Sequence, residues 1–172
     1  MGPVEIVFLV CWVIFGVVGL VSGVWRELGV TTMLLIVLLV LQMLAFGPFA
    51  AQWEKIIQTV VGNAASAKTA SALLASAAML LVAFISYQGE TFSFPGKGDS
   101  WFFSLGTGLL NGYLLAGSVW YYLNVASWPG GLVNPPFSQF YQTMVKLLPP
   151  EVLSWQLLIF LVVFMMIMRV IK

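Results

Sequence analysis

The sequence predicts an all-α integral membrane protein with about five transmembrane helices and one short interfacial helix. Three observations carry that expectation. Of the 172 residues, 61% are hydrophobic and only 8% charged, whereas a soluble domain carries about 25% charged residues. Apolar runs of roughly twenty residues recur along the chain, which at about 1.5 Å per residue cross a hydrocarbon core about 30 Å thick. No segment alternates as a barrel strand does, so helices are the form in which backbone satisfies its own hydrogen bonds in lipid.

The elements follow in order within a single membrane domain, residues 1–172. Spans are expected at 4–25, 28–51, 70–88 and 102–125, with a fifth, shorter one at 152–168 stopped by Arg169 and Lys172. The first run has no Lys or Arg before it and is longer than a signal-peptide core, so it reads as a retained membrane helix. Over 54–62, Ile56, Ile57, Val60 and Val61 recur at helical spacing against Glu54, Lys55 and Gln58, the pattern of a helix lying in the interface. Gly62 and Asn63 then break the chain before the third span. A Gly- and Pro-punctuated loop is expected at 87–100. A Pro-rich loop at 126–151 carries Pro129, Pro135, Pro136, Pro149 and Pro150 and cannot be one continuous helix; a short surface helix fits 139–148 within it.

Charge placement refines the topology. Arg26 and Glu27 interrupt a long uncharged stretch, and placing them at a hairpin tip between the first two spans, with Trp25 at headgroup level, avoids a cost of several kcal/mol for a charge at the bilayer centre. Five spans put the termini on opposite sides. With the C-terminus cytoplasmic and the N-terminus outside, Arg26, Lys97, Arg169 and Lys172 lie inside and Lys55, Lys68 and Lys146 outside, as the positive-inside tendency favours.

Small residues form stripes: Gly19-x-x-x-Gly23, Gly108-x-x-x-Gly112 followed by Ala116, and Ala67, Ser71 and Ala75 at four-residue spacing. In lipid such residues let helix backbones approach closely, and helix packing is their expected role. Gln42 and Asn111 are polar residues near the middle of their spans; they bond either to each other or to a nearby carbonyl or water. Trp120, Tyr121, Tyr122 and Trp128 read as an aromatic belt at headgroup level.

Several function classes are disfavoured. There is no histidine, so the commonest metal ligand and general base is missing, and Cys11 is a lone cysteine. Glu5, Glu27, Glu54, Glu90, Asp99 and Glu151 all fall at span ends or in loops, leaving no expected proton relay within a span. A net charge of +1 offers no basic patch for nucleic acid. The expectation is a protein that is not an enzyme, without metal or cofactor, whose partners are the lipid bilayer and a membrane protein or further copies of itself.

Two segments carry a family resemblance. The run from Gly19 to Leu28, with Gly19, Gly23, Arg26 and Glu27, resembles the first hairpin of the colicin V production protein (CvpA) family. Residues 108–115, from Gly108 through Asn111 and Gly112, look like that family's Gly-rich last span. The basic pair typical of the hairpin is Val21-Ser22 here, and Asn111 stands where a basic residue is common. The likeness covers about residues 4–125 and leaves the Pro-rich loop and fifth span unexplained. It implies a bacterial inner-membrane protein acting in envelope maintenance or toxin production and export through partners. An accessory subunit of a larger membrane complex, or a small transporter or vitamin-binding membrane component, stands as the alternative.

Overall fold

Eight helices account for most of the residues that the computed structural model describes, namely 2–89, 94, 96, 100–129, 133 and 137–171. Expectations about Glu90, Lys97, Asp99, Pro135, Pro136 and Lys172 lie outside the described residues. In chain order the helices are α1 (Pro3–Ser22), α2 (Val24–Ala45), α3 (Ala50–Val61), α4 (Ala64–Gln88), α5 (Trp101–Val125), α6 (Gln139–Val145), α7 (Pro149–Val152) and α8 (Trp155–Val170). Four of them, α1, α2, α4 and α5, are long and apolar enough to cross a membrane.

The long helices alternate in direction. Gly23 alone separates α1 from α2, with φ +82° and ψ 153°, a backbone conformation essentially confined to glycine. The turn therefore lies three residues before Arg26, and the expected charged tip is instead the first turn of α2. The adjacent charges part company there, Arg26 facing out and Glu27 fully buried. Gly23 serves as the turn rather than as a member of a packing stripe.

α5 is the hub, packing against α1, α2 and α4. Its tightest seam is with α1, which runs antiparallel to it. Gly19 and Gly108 face one another so closely that a Cβ on Gly19 would lie 2.7 Å from the Gly108 Cα, and one on Gly108 would lie 2.8 Å from the Gly19 Cα. Gly112 continues the seam against Phe15 and Trp12, and Trp12 Nε1 donates to the Leu109 carbonyl at 2.7 Å across it. Ala116 is only half-buried; the next residue, Gly117, makes the close approach, to Pro149. Leu34, Leu38, Met79, Leu114 and Leu158 fill the interior and are almost wholly inaccessible.

The third long helix starts earlier than its hydropathy suggests. Gly62 ends α3 in the left-handed conformation, and the Asn63 side chain caps α4 by accepting from Ser66 N at 2.7 Å. The Ala- and Ser-rich residues 64–70 are thus the first turns of α4. On α3, Ile57 turns into the body while Ile56 and Val60 face outward.

The C-terminal region departs most from expectation. α8 has 16 residues, a length of about 24 Å, and Ser154 caps it after a break that separates it from α7. It packs on α2 with Leu158 buried and leaves Phe160, Val163, Phe164 and Ile167 outward. The surface helix expected over 139–148 closes at Val145. Trp120, Tyr121, Tyr122 and Trp128 are buried rather than arrayed as an exposed belt. The segment carrying α6 folds back over Trp120 and Trp128: Trp128 Nε1 donates to the Tyr141 hydroxyl at 2.8 Å, which donates to Asn124 Oδ1 at 2.7 Å. Rings of Phe8 and Trp120 meet edge-on at 5.4 Å, and Phe137 stacks on Tyr141 at 4.5 Å.

Candidate functional site

The first candidate is a buried polar cluster built on Glu27. Its position in the first turn of α2 places a carboxyl group near the positive end of the helix dipole. Asn111 of α5 reaches across and donates from Nδ2 both to the Glu27 carbonyl at 3.0 Å and to Glu27 Oε2 at 2.7 Å. The Tyr87 hydroxyl of α4 donates to the same Oε2 at 2.8 Å. Thr31, one turn on from Glu27, sits with its hydroxyl 2.9 Å from the Glu27 carbonyl and 2.7 Å from Asn111 Oδ1. At the outer edge Arg26 Nη2 donates to the Tyr87 carbonyl at 2.5 Å. Glu27 and Asn111 are both 0% exposed.

This arrangement ties α2, α4 and α5 together at one level. Polar groups sealed in an apolar interior are costly unless bonded, and here every donor of the Asn111 amide is used on Glu27. One acceptor stays open: Glu27 Oε1 is buried without a hydrogen-bond partner. The cluster contains a carboxyl, an amide, a phenol and a hydroxyl, and its geometry is that of an interhelical lock.

Of the two alternatives for Gln42 and Asn111, the structure shows bonding to backbone carbonyls and not to each other. Gln42 Nε2 donates instead to the Pro150 carbonyl at 2.5 Å, so it anchors α7 to the far end of α2. Tyr113 makes a similar link, its hydroxyl donating to the Leu147 carbonyl. Glu5, expected at a span end facing the interface, is buried and accepts from the Ser138 hydroxyl at the start of α6. Two carboxyl groups thus lie inside the protein where the sequence suggested none. Thr31 and Tyr87 were not singled out in the sequence; the only signal for Thr31 is its spacing of four from Glu27, which puts both on one helix face.

The second candidate is a cavity of about 340 Å³ between the final turns of α2 and α5, the first two turns of α3 and the first half of α4. Its size arises from the sequence of α4: Ala64, Ala67, Ala72 and Ala75 face α3 and α5 with side chains too short to fill the gap. Trp53, Tyr121 and Tyr122 provide aromatic walls. Trp53 Nε1 donates to Ser71 Oγ at 2.8 Å and so pins α3 to α4 beside the cavity. Ser71 therefore acts through its hydroxyl and Ala75 through its small size. Among the described residues no three His, Cys, Asp or Glu side chains gather where they could hold a metal ion. Comparison with protein-family models, with curated proteins and with solved structures finds no match to this chain.

Proposed function

We propose that the chain is a multispan protein of the bacterial inner membrane that works without catalysis, through partner proteins, in envelope maintenance or in toxin production and export, as its resemblance to the colicin V production protein family implies. The observation that carries this reading is the meeting of the two segments on which the resemblance rests. They lie about eighty residues apart in sequence, yet Gly19 packs against Gly108 and Glu27 is clasped by Asn111. Segments whose resemblance is separate in the sequence lie together in one structural unit. A membrane setting is supported by the outward faces of α1, α4 and α8, which present Val13, Val17, Leu81, Phe84, Phe160 and Phe164 to the surroundings. A helix apolar on every side belongs in lipid or in a core.

In this reading α8 is the fifth span, short enough that the bilayer thins or Arg169 reaches to the interface. Arg26 and Arg169 then face the cytoplasm, with the N-terminus outside. The test has two arms. Native protein should stay in the membrane fraction after alkaline extraction, and gentle solubilisation should bring down a stoichiometric protein partner or a homo-oligomer. Release by alkali would overturn the membrane reading. A lone monomer in every mild detergent would overturn the partner reading alone.

The cavity favours a second reading, a membrane component that binds a small molecule. A void of this size falls within the range of ligand pockets, about 300–1,000 Å³, and its walls combine aromatic rings with a few polar groups.

A further inference from the structure

We propose that the cavity between α3 and α4 is a binding site for one zwitterionic phospholipid, with an acyl chain in the cavity and a phosphoethanolamine headgroup across its mouth. The inference rests on the membrane reading above and names the ligand class of the second candidate site.

Three features of the cavity point to this occupant. Its inner wall is apolar, made by Leu41, Leu44, Ile57, Ala72 and Val125 with the rings of Tyr121 and Tyr122. A chain of methylenes suits such a wall, which offers it the same apolar surroundings as the bilayer, so that the chain gains only by packing. The mouth carries two opposite charges, Lys68 from α4 and Glu54 from α3. Glu54 accepts from Gln58 Nε2 at 2.9 Å rather than pairing with Lys68. A phosphate beside Lys68 and an ammonium beside Glu54 would satisfy both, which a singly anionic headgroup cannot do. The third feature is Tyr122, which lines the cavity and is 4% exposed, with a hydroxyl that has no hydrogen-bond partner. That hydroxyl is sealed from the cavity, so it is the ring of Tyr122, not its hydroxyl, that an acyl chain meets.

The sequence accounts for the shape of the site. α3 is amphipathic and enters the body only through Ile57, held by the Trp53–Ser71 bond. It therefore roofs the alanines of α4 without filling the space above them.

The experiment uses the full chain reconstituted in bilayers of equal parts phosphatidylethanolamine and phosphatidylglycerol, each with a photoreactive diazirine in one acyl chain. Cross-linked residues are mapped by mass spectrometry, and retained lipid is counted by native mass spectrometry. Expected is one retained phosphatidylethanolamine with cross-links on α3, on residues 64–75 and on residues 121–125. Lys68→Ala should weaken retention of both lipids, and Glu54→Ala should abolish the preference for phosphatidylethanolamine, each by about threefold to fivefold. Ala72→Phe, which fills the cavity, should remove retained lipid; the two surface variants keep the test decisive where that one fails to fold. Cross-links spread evenly over the outward faces of α1 and α8, with no retained lipid, would overturn the site while leaving the membrane reading intact. Retention of phosphatidylglycerol in preference, or of a soluble metabolite in place of lipid, would equally overturn it. Failure of the chain to enter bilayers at all would count against the membrane reading itself.

Discussion

Asn111 divides the two hydrogens of its amide between two acceptors of one residue, the carbonyl of Glu27 at 3.0 Å and its carboxyl Oε2 at 2.7 Å. Both residues are fully buried, so neither can replace the lost partner with water. Asn111→Leu should therefore destabilise the protein by about 1–3 kcal/mol, the cost of leaving buried polar groups unpaired. Glu27→Leu should cost a similar amount, and the double variant clearly less than the sum of the two. Denaturant or thermal unfolding of the four proteins in detergent closes the cycle; strict additivity would show that the contact carries no energy.

Gln42 and Asn111 behave as a contrasting pair. Both are buried polar residues of apolar helices, but Asn111 lies midway along α5 and bonds to Glu27, whereas Gln42, expected near mid-span, lies in the last turn of α2 and bonds to Pro150. Glu27 and Gln42 lie fifteen residues apart on α2, roughly 22 Å at the helical rise. Sites so far apart with no shared partner should add within about 0.5 kcal/mol. Combining Gln42→Leu with Asn111→Leu should give the sum of the single effects, and a marked shortfall would mean that α2 transmits strain between its ends.

The α1–α5 seam predicts an ordering among glycines that hydropathy cannot supply. A Cβ on Gly19 or Gly108 meets backbone atoms of the facing helix, whereas one on Gly112 meets the Phe15 Cβ at 2.8 Å and one on Gly106 meets nothing within 4 Å. Backbone cannot swing aside as a side chain does. Gly19→Ala and Gly108→Ala should each cost about 1–3 kcal/mol through overpacking. Gly106→Ala, in the same helix, should stabilise by about 0.5–1 kcal/mol through helix propensity. Equal effects at Gly106 and Gly108 in unfolding experiments would remove the seam from the account.

Much of this architecture was legible because it depends on composition and local spacing. The four long helices follow from apolar run length, and the α3–α4 junction follows from Gly62 and Asn63, residues whose chemistry suits the end of one helix and the start of the next. What escaped depends on contacts far along the chain. Glu27 looked like a hairpin tip because charge marks loops, and its burial is explained only by Tyr87 and Asn111, sixty and eighty-four residues later. Trp120 and Trp128 looked like a headgroup belt because nothing local reveals that the segment carrying Tyr141 folds back over them. The cavity was invisible for the same reason: alanines on α4 fill or fail to fill space according to what faces them. The start of the last helix was similarly blurred, since the run from 152 to 168 is interrupted only by Ser154 and Gln156 while the break at Leu153 and Ser154 is set by the cap.

Gly23 offers the most direct test of how the first two long helices are joined. Its φ of +82° with ψ of 153° places it outside both helical basins, in a region where a Cβ costs about 1–3 kcal/mol. The residue is also buried, next to the clasped Glu27. Gly62, at the end of α3, has φ +86° and ψ −17° in the left-handed helical region and is exposed with open space around it. Asparagine tolerates that second conformation far better than the first. Gly62→Asn should thus fold with a loss below about 1 kcal/mol, while Gly23→Asn should lose about 2 kcal/mol or more. The weaker Gly23 variant should also loosen the Glu27 cluster, because the Glu27 amide donates to the Gly23 carbonyl at 3.2 Å. Amide hydrogen exchange read at residues 24–31 reports that loosening directly. Unchanged protection there, with both asparagine variants equally stable, would mean that the α1–α2 junction adjusts freely and that the turn is not what positions Glu27.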